Sequence, residues 1–135
     1  MNGKKLISWL LRIVAAIILL QTLFFKFTGS KESVELFTKL VGSEYETYVR
    51  IGTGFVELIA SILLLIPRTA FIGALLGIGL MTGAVLSHLL VIGIQSQGDG
   101  GQLFLYAILV FICCFLTLLI EKQQGIILYK NLIKA

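Results

Sequence analysis

Charge is scarce in this chain: Asp, Glu, Lys and Arg make up 13% of 135 residues, against 58% hydrophobic. That balance lies far outside soluble proteins and marks a membrane chain. Histidine is limited to His88, which excludes a haem held between two histidines. Cysteine is limited to the neighbours Cys113 and Cys114. Adjacent Cα atoms stand about 3.8 Å apart, below the usual disulfide range, and no Cys-x-x-Cys is present. Nor does the pair supply the ligands of an iron–sulfur cluster or a recognisable zinc spacing, so no metal site is expected. Both read as small buried residues without redox duty. The Gly98-Asp99-Gly100-Gly101 run is followed by no Gly-Lys-Ser or Gly-Lys-Thr, which argues against a phosphate loop. The lone proline, Pro67, sits in Pro67-Arg68-Thr69, a tight turn where one helix stops and another begins.

What the chain does have is four apolar runs: Leu6 to Phe25, Tyr48 to Ile66, Ala70 to Ile94 and Leu103 to Ile120. At about 1.5 Å rise per residue each can cross a hydrocarbon core of about 30 Å. They predict an all-α, membrane-embedded four-helix bundle forming one domain over residues 1–135, with no room for a soluble catalytic domain. Lys4 and Lys5 precede a first run too long for a signal h-region, and Phe24-Phe25-Lys26-Phe27 lacks a small-residue cleavage pattern, so an uncleaved helix is expected. Four crossings put both termini on one side. That side collects Lys4, Lys5, Arg12, Arg68, Lys122, Lys130 and Lys134, against Lys26, Lys31, Lys39 and Arg50 on the other. The excess predicts a multi-pass protein of the inner (plasma) membrane with cytoplasmic termini. The net charge of +4 then reflects topology, and no nucleic-acid partner is expected.

The outer link, Thr28 to Thr47, carries Val34, Phe37, Leu40 and Val41 on one face, with Ser30 able to cap its start and Gly42 its end. It predicts a short amphipathic helix lying at the interface, either a lid or a plain connector. Ser43-Glu44-Tyr45-Glu46 has capping-box spacing and is expected to start the second span. Gly125 to Ala135 reads as an interfacial tail helix.

Within the second span one carboxylate, Glu57, lies in an apolar setting. An ionised side chain near the bilayer centre costs about 2.5 to 3.5 kcal/mol even on insertion scales, so it needs an interior or a watery cavity and a partner. Arg50, Gly54, Glu57, Ser61 and Arg68 share a narrow sector of that helix, with Arg50 about 10 Å above Glu57 along the axis. On the first span Arg12, Ala15, Leu19, Thr22 and Lys26 share one face. Arg12 and Lys26 sit near its two ends, where either could be a snorkelling anchor, and Lys26 could equally be a site residue. The third span has two small-residue stripes, Gly73, Gly77, Ala84, His88 and Gly79, Gly83, Ser87, fit for close helix packing inside the bundle or in a homodimer. His88 and Asp99 lie at the same outer end as Lys26, and the fourth span presents Gln102, Tyr106, Cys113 and Thr117 on one face. The candidate pocket residues are therefore Lys26, Glu57, His88, Arg50, Thr22, Ser61, Tyr106 and Asp99.

Taken in order, Lys26 in Phe-Phe-Lys-Phe-Thr-Gly, Gly54-x-x-Glu57, Ile66-Pro67-Arg68-Thr69, His88-Leu89 and the Asp99-Gly100-Gly101 turn resemble the DoxX-like family of small four-helix membrane proteins. One departure is Leu23, where the family often has a small residue three before the lysine. The resemblance implies a four-helix bundle with attention on Lys26, Glu57 and His88. Some members are linked to membrane redox chemistry, others to the chaperoning of membrane receptors, so kinship alone does not decide function. Three functions compete. The first is a small-molecule or quinone-binding accessory to membrane redox work, any redox cofactor being the quinone or a partner's. The second is a non-enzymatic assembly factor in which buried charges fix helix register. The third is a minimal transporter. Small multidrug transporters carry their essential carboxylate in the first helix, whereas here the acid comes in the second span. The bilayer, a second copy of the chain and a membrane or redox protein are the partners these readings imply.

Overall fold

The computed structural model describes residues 2–134. Among the described residues six α-helices follow one another: α1 (Gly3–Thr28), α2 (Lys31–Val41), α3 (Glu46–Leu65), α4 (Ala70–Ser87), α5 (Gln102–Ile120) and α6 (Lys122–Lys134). A 3₁₀ turn, Pro67–Thr69, precedes α4, and a π turn, His88–Ile92, extends it. Four helical stretches, Gly3–Thr28, Glu46–Leu65, Pro67–Ile92 and Gln102–Ile120, are long and apolar enough to cross a membrane. Ala135 of the expected tail helix lies outside the described residues.

The four long helices form a ring in which α1 packs on α3 and α5, and α4 packs on the same two. Inside lie small and medium side chains: Ala15, Leu19, Ala60, Leu64, Ala74, Val110 and Cys114. Outside, Leu, Ile and Phe side chains such as Ile17, Phe24, Ile59, Leu90 and Leu105 are exposed. An apolar surface of that extent belongs against lipid acyl chains, and the protein is a membrane protein in contact with the bilayer.

Two close approaches fix the ring. A Cβ added at Gly73 would lie 2.6 Å from the Leu64 backbone nitrogen, so the backbones of α3 and α4 touch there. One added at Gly77 would meet Cys114 Sγ at 2.5 Å, so the Cys114 side chain of α5 packs directly over that glycine of α4. The first small-residue stripe is thus spent inside the bundle. The second is not: nothing lies within 4 Å of a Cβ added at Gly79 or Gly83.

The end carrying both termini is tied by polar contacts. Ser8 Oγ donates to Glu121 Oε1 at 2.8 Å, joining the start of α1 to the end of α5. Arg12 Nε donates to the Leu64 carbonyl at 2.6 Å, and its guanidinium lies 4.0 Å from the centre of the Trp9 ring. Gln124 Nε2 donates to the Pro67 carbonyl at 2.6 Å, and α6 otherwise buries no residue.

The opposite end is built by local chain reversal. Gly29, at φ 66, ends α1 in the left-handed region that glycine adopts without strain. Ser30 then caps α2 at once, its Oγ accepting the Ser33 N–H at 3.3 Å. α2 is the expected amphipathic helix, with Phe37 buried. The expected capping box does not form. Ser43 and Glu44 stay in a turn and α3 starts at Glu46, with Tyr45 making no side-chain cap bond. The reason is competition: Glu46 accepts from Arg50 Nε at 2.9 Å and from Thr47 Oγ1 at 2.7 Å, so its carboxylate is not free to reach back.

Candidate functional site

Lys26 stands in the last turn of α1, and Glu57 about midway along α3. Their side chains meet, Nζ to Oε1, at 3.1 Å. Glu57 is 3% exposed, and its second oxygen, Oε2, has no hydrogen-bond partner among the described residues. The close approach of α1 and α3 that allows the pair rests on Gly54, where an added Cβ would lie 2.6 Å from the Phe27 ring and 3.3 Å from Leu23. The bulk of Leu23 is therefore absorbed by glycine on the facing helix.

His88 opens the π turn, a local widening of the helix that often accompanies functional residues. Its carbonyl accepts the Gly93 N–H at 2.7 Å, and its ring Nδ1 lies 3.0 Å from the Gly93 carbonyl. A carbonyl only accepts, so Nδ1 carries the proton, and in the neutral ring Nε2 is left as an acceptor. The ring is buried and packs edge-on against Phe104 at 5.7 Å between centres.

These groups border one half-open cavity of about 900 Å³, lined by α1, α3, α4 and α5 and roofed by α2. Of the residues the sequence singles out, Thr22, Lys26, Glu57, His88, Asp99 and Tyr106 line it, whereas Arg50 and Ser61 do not. Arg50 reaches Glu46 and donates through Nη1 to the Lys26 carbonyl, which ties α3 to the end of α1 and fixes the backbone that carries Lys26. It is not the partner of Glu57. Ser61 Oγ is satisfied by the Glu57 carbonyl at 2.8 Å. Thr22 donates to the Leu19 carbonyl at 3.0 Å, and Tyr106 accepts from Gln102 at 2.8 Å.

Asp99 is committed to the loop before α5. Oδ1 accepts the Ser96 and Gly101 N–H groups at 3.0 and 2.8 Å, and Oδ2 accepts that of Leu103 at 3.1 Å. Burial pushes its carboxyl upward, but the three donors outweigh burial and hold it below the usual carboxylate range.

The roof is the part sequence patterning did not disclose in full. Leu36, Phe37 and Leu40 of α2 face the cavity. Lys39 Nζ donates to the Ile92 carbonyl at 3.3 Å, and Gln97 Nε2 donates to the Glu32 carbonyl at 2.9 Å, latching α2 to the far side of the bundle. The amphipathic pattern gave the helix, but no periodic signal marks Lys39 or Gln97. Among the described residues no group of three or more His, Cys, Asp or Glu is placed to hold a metal ion. The arrangement instead offers an ammonium donor, a carboxylate oxygen and an imidazole around an apolar chamber, which suits a polar head on a lipophilic body.

No curated protein and no solved structure shows a significant match to the chain. A family model described as the DoxX-like family matches residues 10–117, a stretch that holds Lys26, Glu57, His88 and every residue lining the cavity, and the chain belongs to that family.

Proposed function

We propose that this protein is the binding component of a membrane redox system and that its cavity holds the head of a quinone-class molecule, quinone or hydroquinone, with the tail among the apolar walls. The observation that carries the reading is the convergence of the Lys26–Glu57 pair and His88 on a single cavity of about 900 Å³. Lys26 has N–H groups beyond the one aimed at Glu57, and they would hold a head-group oxygen. Glu57 and His88 are the groups able to take or give a proton there. The redox-active group is the bound molecule itself. The Lys and Arg excess on the terminal side supports cytoplasmic ends, so the cavity belongs to the outer half of a plasma-membrane bundle. The Gly79 and Gly83 face, which the sequence also offers to a homodimer, forms part of the cavity wall.

The test is equilibrium binding of a short-chain quinone and its hydroquinone to the protein in lipid nanodiscs. Saturable binding is expected for at least one form. Glu57→Gln should weaken it about tenfold or more, as loss of a charge-assisted hydrogen bond does. Unsaturable partitioning alone, or an unchanged Glu57→Gln variant, would leave the pair a packing device and favour the assembly-factor reading.

A further inference from the structure

Two seams of the helix ring that border the cavity differ in kind. At the seam of α1 and α5 stand Phe25, Gln102 and Tyr106, the last two joined by a hydrogen bond of 2.8 Å. At the seam of α3 and α4 the cavity is bordered by Val49 and Thr53 on one helix and by Gly79 and Gly83 on the other. Both glycines are exposed, and an added Cβ at either meets nothing within 4 Å. The two helices touch at Gly73, nearer the terminal end, and leave this stretch of α4 without a facing side chain.

A stripe of glycines would mean little alone. The same cavity is lined by Glu57, 3% exposed, whose Oε2 is buried and has no protein donor among the described residues. An ionised carboxylate only accepts hydrogen bonds, and a buried acceptor left without a donor is unfavourable. The complementary ligand atom is therefore a donor. Lys26 already supplies the other oxygen, so a second donor from the ligand would complete the carboxylate.

We infer that the gap between α3 and α4 at Gly79 and Gly83 is a lateral portal from the bilayer, and that what passes through it is a lipophilic molecule whose polar end donates a hydrogen bond to Glu57 Oε2. The class is a long-chain phenol, hydroquinone or alcohol, not an ether or ester. This rests on the cavity reading above and narrows it to the donor-bearing form and to one route.

The experiment uses the full chain in nanodiscs with a long-chain alkylphenol carrying a photoreactive diazirine, and the same compound as its methyl ether. Cross-links to cavity peptides are read by mass spectrometry against time. The phenol should label the Glu57 region, with the ether reduced about tenfold or more, the ratio expected when a buried acceptor loses its donor. Gly83→Leu, with Gly79→Leu as the second variant, should abolish labelling at short times. Gly52→Leu, an exposed α3 position outside the cavity with equal room for a side chain, should label like the parent. Equal labelling by phenol and ether overturns the donor requirement, and unchanged labelling in both portal variants overturns the route. The cavity reading survives either result. Labelling by neither compound in the parent protein overturns both.

Discussion

Replacing Lys26 with Met removes the only protein donor to the Glu57 carboxylate among the described residues and keeps a side chain of similar length. Breaking a buried ion pair from one side is destabilising by about 3–5 kcal/mol, because the remaining charge stays buried without compensation. Here the Glu57 side chain is 4% exposed and that of Lys26 15%, so some screening persists and the low end, about 3 kcal/mol, is expected. Removing both charges in Lys26→Met with Glu57→Gln should recover much of the loss, since an amide is far less expensive to bury than an orphan carboxylate. The two single variants and the double variant form a cycle whose coupling should fall within about 0.5–3 kcal/mol, the span found for contacting residues. Reversible unfolding in mixed micelles, followed by far-UV circular dichroism, measures each corner. A Lys26→Met variant within about 0.5 kcal/mol of the parent, with no coupling in the cycle, is what surface substitutions give and would refute the pair.

Gly73→Ala should destabilise by about 1–3 kcal/mol in the same assay through overpacking against the α3 backbone. Gly79→Ala should be neutral or stabilising by up to about 1 kcal/mol, since alanine favours the helix and the site is open. The reverse order would mean that the two stripes of α4 have exchanged roles. Asp99→Ala should loosen the loop before α5 and cost about 0.5–2 kcal/mol, as other lost helix caps do. Because the Asp99 carboxyl is held below its ordinary value, its stabilising share is fully present above the unfolded value of about 3.9 and is lost as pH falls through the lower folded one. Melting curves of parent and Asp99→Ala should therefore converge on acidification below that point, and a gap that widens there would contradict the hydrogen bonds assigned to it. Cys113 and Cys114, both buried, should resist a maleimide in the folded protein and react once it is unfolded.

Much of the design is legible along the chain because a bilayer imposes a simple rule. Apolar runs of spanning length, interrupted by Gly29, Gly42, Pro67 and the Gly98 to Gly101 turn, were enough to predict four crossings and the outer amphipathic helix. Helical periodicity also put Lys26 and Glu57 on the inward faces of their helices, since residues three and four apart share a side. Periodicity carries no information about how far one helix is rotated or shifted against the next. Whether Glu57 would meet Lys26 or Arg50 was therefore open until α1 and α3 were packed together on Gly54.

The capping box at Ser43 has the right local spacing, but Arg50, one turn further along the same helix, holds the Glu46 carboxylate through a charge-assisted hydrogen bond. The latching of α2 by Lys39 and Gln97 and the open face at Gly79 and Gly83 depend on neighbours distant in sequence. By itself the sequence determined which segments are long and apolar enough to cross a membrane and which helix faces turn inward, because both follow from hydrophobicity repeated along a helix. Only the tertiary structure decided which charges meet, which carboxylate oxygen is left over and where the bundle gapes, because those are set by the relative rotation and tilt of packed helices.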